Sequence, residues 1–329
     1  MSNHLVSVLM AVNRDDGSLK STVQSILNQS FTDFEYIIIN DGKDPDVINV
    51  VNDCNDDRIR LKNIEKVGLT RALNYGLNFA KGDYIARQDG GDISLENRFR
   101  AQVDFLQKNP DIALLGTSIR NESLEGDFLG NTVFPSKDQE IKSHIVFQNT
   151  FWHGTVIFKR EIALRLKGYR DFFKMAQDYD LWLRISENYK VHNLKEILYV
   201  RTVDKNSISL MSKHIQMKYG EIARIFHKDR QNNKKEDLSQ LEPVEKLLTN
   251  YSKPVNKVNA DYFFYCGRLL LTERNKKVAR SYFIQAVKNQ PFHIVTIIFL
   301  FVTFIPNIIL NRIEKIWKFF QKKANIQLQ

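Results

Sequence analysis

The chain has 329 residues, 43% hydrophobic and 26% charged, with 14 Gly and 7 Pro, which excludes a disordered, collagenous or low-complexity protein. The length suits one large domain or two ordinary ones, each able to bury a core. The net charge of +10 is unevenly placed, with 27 Lys+Arg against 29 Asp+Glu in residues 1–210 and 21 against 9 in the remainder. A balanced front and a basic last third predict two surfaces with different partners. Cys54 and Cys266 offer neither a disulfide framework nor metal-finger spacing, which fits a reducing compartment. Met1 to Leu9 lacks the pattern of a secretory signal.

Strand-like and helix-like stretches alternate from the start. Leu5 to Met10 is a nearly continuous apolar run, as a strand covered on both faces requires. Leu19 to Leu27 carries a helical apolar face, and Phe34 to Ile39 is a second buried strand ended by the turn Asn40-Asp41-Gly42. A helix over Val47 to Cys54, a short strand Ile59 to Leu61 and an amphipathic helix Leu69 to Ala80 follow. Asp83 to Ala86 is another strand, closed by Gln88-Asp89-Gly90-Gly91-Asp92. This order predicts a mostly parallel sheet whose ligand sits beyond the carboxyl ends of the strands, where Asp41 and Asp89 both fall. The pattern then becomes mixed. A helix is expected from Leu95 to Lys108, strands at Ile112 to Ile119 and Thr155 to Phe158, a hairpin at Gly126 to Phe134, and a helix from near Asp178.

The catalytic-type region is expected to span residues 1–228, with a polar linker at 229–257 holding one short helix around Val244 to Leu248. Residues 258–291 read as a helical hairpin, with Gly267, Ala279, Phe283, Ala286 and Pro291 at tetratricopeptide-like positions. One such unit reads as a packing appendage rather than a peptide-binding array. No charged residue lies between Lys288 and Arg312, and both flanks of that apolar stretch are basic. Two basic flanks suit a shallow or re-entrant anchor better than a span, followed by an amphipathic helix Ile313 to Phe320. The tail 292–329 is thus expected to associate with an anionic membrane surface at the cytoplasmic face. Nucleic acid is not expected, since the basic residues surround a greasy segment rather than a stacking surface.

Six stretches in order carry a resemblance: Val6 to Met10, Ser25 to Ser30, Ile37 to Gly42, Gly68 to Asn74, Lys81 to Arg87 and Asp178 to Arg184. Together they resemble glycosyltransferase family 2 over roughly residues 5–210. The resemblance implies an α/β GT-A fold with a mixed, mainly parallel sheet. It also implies transfer of a sugar, with inversion, from a UDP-sugar to a hydroxyl of a saccharide or lipid-linked saccharide acceptor. By the same resemblance, Ala11, Val12, Asn13, Asp41, Gly68, Arg71 and Asp89 contact the nucleotide, Asp41 through the uracil ring. Ala11-Val12-Asn13-Arg14 stands where the family often has Pro-Val-Tyr-Asn, so the stacking aromatic is missing.

Asp89-Gly90-Gly91-Asp92 matches the family's Asp-x-Asp-Asp with Gly91 in place of the usual ligand for a divalent metal, Mg²⁺ or Mn²⁺. A rearranged site from Asp92 and Asp204, a weak site and a lost site remain as readings. Asp178 is the expected general base, with Asp180 its rival. His153, Asp180, Trp182 and Arg184 fall on the acceptor side, although Trp182 suits the core better, His153 equally suits a structural role and Arg184 an ion pair. A non-catalytic partner of a polysaccharide-assembly complex is the alternative, motivated by Gly91 and the missing aromatic. A dinucleotide-dependent dehydrogenase is disfavoured, because no Gly-x-Gly-x-x-Gly follows the first strand.

Overall fold

The fold comes from a computed structural model that describes residues 5–205, 212–249 and 254–306. The chain divides into two compact units, one of residues 1–202 and 212–251 and the other of 203–211 and 252–329.

The first unit is built on a sheet of nine strands among the described residues, in the order β3-β2-β1-β4-β8-β6-β9-β5 with β7 beside β6. Strands β1 (Val6–Val12), β2 (Phe34–Asp41), β3 (Ile59–Ile64) and β4 (Tyr84–Arg87) run parallel. Helices α1 (Leu19–Leu27), α2 (Pro45–Asp53) and α3 (Leu69–Phe79) make the crossovers. Asp44 caps α2 by accepting from the Asp46 and Val47 amides at 3.0 and 3.1 Å, with Pro45 at the first helical position. Register places Val12 opposite Asn40 and Leu9 opposite Arg87, so the carboxyl ends of β1, β2 and β4 share one edge.

After β4 the sheet turns antiparallel. Gly126 to Phe134, expected to hold a whole hairpin, supplies one strand, β7 (Phe128–Thr132), which pairs back on β6 (Ile112–Ser123), and β8 (Ile157–Lys159) pairs with β4 and β6. The expected helix from Leu95 begins instead at Arg98 as α4 (Arg98–Lys108), because Ile93–Ser94 is taken as β5 by pairing with β9 (Lys190–Val203). That pairing joins residues over a hundred positions apart, which local periodicity does not register. Short helices α5 (Asp138–Ile145) and α6 (Arg160–Arg165) precede α7 (Gln177–Asn188) and α8 (Lys213–Gln231). One apolar cluster joins β1 and β2 to α3, α7 and α8 through Leu9, Ile39, Leu73, Trp182 and Phe226. The other face packs α1, α2 and α4 through Val23, Val47 and Phe99.

The stretch read as a linker carries more structure than its polarity suggests. α8 runs to Gln231, a 3₁₀ turn covers Leu238–Leu241, and α9 spans Glu242–Thr249. Leu241 and Val244 are buried in the same cluster as Trp182, so the compact unit extends past residue 228. Two apolar residues among many polar ones suffice, since a short helix needs only a narrow stripe to dock.

In the second unit α10 (Val255–Thr272) and α11 (Lys276–Asn289) pair as a hairpin, and α12 (Ile294–Val302) follows. Gly267 is required by close packing: a Cβ there would lie 2.8 Å from the Phe283 ring. Among the described residues no helix is long and apolar enough to cross a membrane. The expected amphipathic helix at Ile313 to Phe320 lies outside the described residues.

Leu241→Ala is expected to lower the unfolding free energy of the first unit by about 2–5 kcal/mol. Thermal melts of the full chain check this; a change within ~0.5 kcal/mol would mean that the segment is a solvated linker after all.

Candidate active site

Four backbone segments meet at the carboxyl edge of the parallel strands, and a buried arginine joins three of them. Arg87, the last residue of β4, is fully buried. Its guanidinium donates to the Leu9 carbonyl on β1, to Asp89 Oδ1 at 2.8 Å and to His153 Nε2 at 3.1 Å. An arginine Nε–H can only donate, so His153 Nε2 must be the lone-pair nitrogen and the ring proton resides on Nδ1. Nδ1 lies 3.8 Å from Asp89 Oδ1. Burial first, and then the Arg87 charge, hold the His153 pKa down at about 3. His153 is therefore neutral, an orienting group rather than a proton carrier. Its Nε2 also meets the Tyr169 hydroxyl at 3.1 Å.

The loop after Arg87 is fixed from several sides. The Gln88 side-chain amide donates to the carbonyls of Asp89 and Asp92, and Gly91 N–H donates to Thr22 Oγ1 at 3.1 Å. Beneath it a second buried arginine, Arg98, donates to the Arg87 carbonyl at 2.8 Å and to Ser94 Oγ at 2.7 Å. Gly91 has φ of 85°, a backbone state that favours glycine. Gly154 is also sterically fixed, since a Cβ there would lie 2.0 Å from the Tyr199 hydroxyl. Asp89 keeps 32% of its side chain exposed and is the open carboxylate of this loop.

Asp92 behaves differently from the expectation of a metal ligand. It is buried, its Oδ1 accepts from the Thr202 amide at 2.9 Å, and Tyr199 also bonds its carboxylate. Burial, with Asp89 adding to it, pushes its pKa up to about 7. The carboxylate thus ties the loop to β9. Asp204, its expected companion, falls in the second compact unit.

Asp178 stands at the start of α7. Ala176 before it adopts a left-handed conformation, φ 55° and ψ 23°, at a cost of about 1–2 kcal/mol for a residue with a Cβ. Strain of that kind persists where surrounding structure enforces it, and here it aims the first turn of α7. Asp178 is half-buried, and Asn149 Nδ2 donates to its Oδ2 at 2.9 Å. Burial pushes its pKa up to about 6, opposed by the Tyr179 amide and reinforced by the Asp89 charge. Asp178 and Asp89 therefore lie within electrostatic reach of each other, and the buried Tyr169 senses both.

Three residues expected on the acceptor side are corrected. Asp180, two positions on, is fully buried and clamped by Arg170 and Arg184, with Nε–Oδ2 distances of 3.0 Å to each. Arg184 also donates to the carbonyls of Leu166 and Gly168 at 2.7 Å, so both residues hold the loop that carries Tyr169. Trp182 is fully buried against Phe151, Phe158 and Tyr169. From Tyr179 to Ser186 every residue of α7 is buried, so both of its faces meet the core, while Asp178 in its first turn is only half-buried.

Of the residues expected to contact the nucleotide, Ala11 and Val12 end β1 half-buried and Asn13 is exposed. Asp41 is buried, its two oxygens accepting from the Val67 and Gly68 amides at 2.6 and 2.9 Å. It anchors the loop entering α3, where Gly68 has φ of 88°. Arg71, one turn into α3, makes an exposed ion pair with Asp171 at 3.1 Å. The sequence reading passed over Arg98, Asn149, Tyr169 and Tyr199. Only Arg98 left a trace, as an arginine at a position whose helical neighbours Phe99, Gln102 and Leu106 all turn inward.

The sequence pattern of Glycosyl transferase family 2 matches residues 7–167. The O-antigen biosynthesis glycosyltransferase WbnJ of Escherichia coli is 36% identical over 59% of this chain and 78% of its own. The chain belongs to glycosyl transferase family 2. A second E. coli relative, UDP-Gal:alpha-D-GlcNAc-diphosphoundecaprenol beta-1,3-galactosyltransferase, is 33% identical over 58% of this glycosyltransferase and 72% of its own length. The S. aureus TarS 1-349 structure in complex with UDP superposes with a TM-score of 0.54 at 13% identity, covering 86% of this chain and 88% of that one. The mannosyltransferase PcManGT from Pyrobaculum calidifontis, in complex with GDP-Man and Mn²⁺, gives 0.53 at 14% identity over 88% of each chain. At those identities the likeness shows the fold, which is GT-A as expected.

The Mn²⁺ in one fold relative makes the donor set of this glycosyltransferase worth weighing. Among the described residues no group of three or more His, Cys, Asp or Glu could hold a metal ion. Asp92 is engaged with Thr202, and Gly91 has no side chain, so the residues do not make a resident all-protein cage. They do fit a cation that arrives with a diphosphate, because Mg²⁺-type ions take one or two carboxylates and complete their shell with phosphate and water oxygens. Asp89 is the residue that would hold it.

The His153 assignment predicts an imidazole that stays neutral, protonated at Nδ1, down to about pH 4. Ring-nitrogen NMR shifts across pH 4–8 check it; titration of this ring near pH 6 would overturn the neutral state, and a proton on Nε2 at neutral pH the tautomer.

Proposed function

We propose that this glycosyltransferase moves a hexose from a UDP-sugar to a hydroxyl of a saccharide or lipid-linked saccharide, with inversion, in cell-surface polysaccharide synthesis. The observation that carries the reading is the half-buried Asp178 with its pKa raised to about 6, within reach of the Asp89 charge at the sheet's ligand edge. A general base works best when its pKa lies close to the working pH, and this carboxyl meets that condition. The polysaccharide context rests on the printed names of the O-antigen and diphosphoundecaprenol relatives.

In this reading Asp178 takes the proton of the acceptor hydroxyl as its oxygen attacks the anomeric carbon from the face opposite the leaving group. The bond from that carbon to the diphosphate breaks, and UDP departs with the electron pair. A divalent cation bound with the diphosphate would neutralise part of the departing charge, held by Asp89. Arg87 and His153 keep the Asp89 carboxylate in one orientation. Asp41 and Gly68, with Ala11, Val12 and Asn13, form the wall against which the nucleoside lies. Each Asp41 oxygen retains a second lone pair beyond its amide bond, which leaves capacity for a ring N–H. Arg71 stands at the outer edge of this wall. The enzyme works at the cytoplasmic face of the cell membrane, where the basic last third meets anionic lipid.

Asp178→Asn is expected to lower kcat at least about 10²-fold while UDP affinity, measured calorimetrically, stays within about threefold. Full transfer activity in that variant refutes the base. A carboxyl whose pKa is raised on folding stabilises the folded state most below the unfolded pKa, and that contribution is lost as pH rises through about 6. The variant should therefore be at least as stable as the parent at pH 7.

The same ionisation sets the rate. Only the carboxylate accepts a proton, so kcat/KM should fall as pH drops through about 6. Asp92→Asn, which keeps an acceptor for the Thr202 amide, should retain that acid limb. A pH profile flat down to 5 in the parent enzyme would contradict the assignment.

A further inference from the structure

The helix α12 of the second unit turns its one polar side chain, Thr296, and its C-terminal cap, Thr303, inward and shows apolar side chains outward. Thr296 and Thr303 are only 3% and 2% exposed, whereas Ile294, Ile298 and Phe301 are 70%, 53% and 66% exposed. Positions 294, 298 and 301 share one helical face, and 296 and 303 share the opposite one. A helix whose outer surface meets water shows the reverse pattern.

The inward threonines are satisfied rather than stranded. Thr296 Oγ1 bonds His293 Nδ1 at 2.6 Å, and Thr303 Oγ1 accepts from Arg280 Nε at 3.1 Å while donating to the Leu300 carbonyl at 2.6 Å. Phe299 fixes the same inner side, 5.3 Å from the Phe264 ring and 5.8 Å from Phe283 by centroid. Arg280 also donates to the Thr303 carbonyl, and Lys276 Nζ donates to that of Ile305. Cations of α11 thus close the C-terminal end of α12, so the helix ends after nine residues instead of lengthening into a span.

We propose that the outer face of α12, Ile294, Val295, Ile298 and Phe301 with the adjoining Phe292 and Phe304, seats in one leaflet of an anionic phospholipid bilayer. The proposal rests on the membrane attachment inferred above and names the element that makes it and how deep it goes. Phe292 and Phe304, 93% and 60% exposed, extend the apolar surface at both ends. Between residues 254 and 306 seven Lys and Arg stand against two Asp and Glu. Three of these cations flank α12 directly: Lys276, Arg280 over the Phe304 ring at 3.8 Å, and Arg268 over Phe299 at 5.9 Å. Anionic headgroups complement that rim, whereas a second copy of the chain would oppose it with like charge. An amphipathic helix half buried in its own hairpin can lie only in the plane of the interface.

The test uses the full-length protein and flotation with vesicles of phosphatidylcholine, with and without phosphatidylglycerol. Binding is expected to the mixed vesicles, to weaken in high salt, and to fall at least about tenfold in the double variant Ile298→Ser, Phe301→Ser. Because both side chains are exposed, the variant should keep its melting temperature and its hydrolysis of UDP-sugar in detergent. Equal flotation of variant and parent overturns the proposal. So does a parent dimer that the double variant converts to monomer in light scattering, which would make the face a contact between copies. Loss of flotation with donor hydrolysis intact supports the docking face, and absence of hydrolysis in the parent bears on the transferase reading alone.

Discussion

A guanidinium with no access to water organises the ligand edge of this enzyme. Burying a charge is costly unless it is paired and hydrogen-bonded, and each nitrogen of the Arg87 guanidinium donates one bond, to His153, the Leu9 carbonyl and Asp89. Those three bonds tie β1 to the loop after β4 and to the turn before β8. Removing one member of such a set leaves an unpaired buried group, which commonly costs about 3–5 kcal/mol. The orientation of Asp89, the tautomer of His153 and the place of Tyr169 all follow from it. Arg98 repeats the arrangement one layer deeper, under Gln88 and Ser94.

The carboxylates around this centre show how environment divides work among identical groups. Asp178 has one side-chain donor and a largely dry setting, so its proton is held more tightly than in water. Asp180 meets two arginines and is a structural anion. Asp92 is spent on Thr202 and Tyr199, and Asp41 on two amides. Of these five carboxylates, Asp89 and Asp178 are the two that are not buried. That division leaves one open anion, Asp89, and one half-buried carboxyl of raised pKa, Asp178, beside Gly91.

Much of this was legible in the residues, and the misses have a common cause. Uninterrupted apolar runs at Val6 and Phe34 and the turn at Asn40-Asp41-Gly42 marked β1, β2 and their ligand edge, because strand burial and turn chemistry are local. Asp178 was legible as a helix-start carboxylate within an ordered series of motifs. Trp182 was legible as core and Arg184 as half of an ion pair, but Asp180 was misplaced because spacing alone does not show that α7 is buried on every side. Arg170 and Tyr169, from a loop about ten residues earlier, cover Asp180 on one side and Trp182 on the other. The polar stretch after Arg230 misled for a related reason. Two buried side chains, Leu241 and Val244, dock it, and composition averages them away.

The amino-acid sequence by itself determined the alternation of strands and helices, the family, the basic and apolar character of the last third, and the candidate base. Those are properties of neighbours along the chain. The tertiary structure alone decided which carboxylates are open and which are spent, which nitrogen of His153 holds the proton, and which side of α12 is apolar toward the outside. Each of these depends on partners brought together from distant segments, and an ionisable or amphipathic group acquires its role from what surrounds it rather than from its position in the chain.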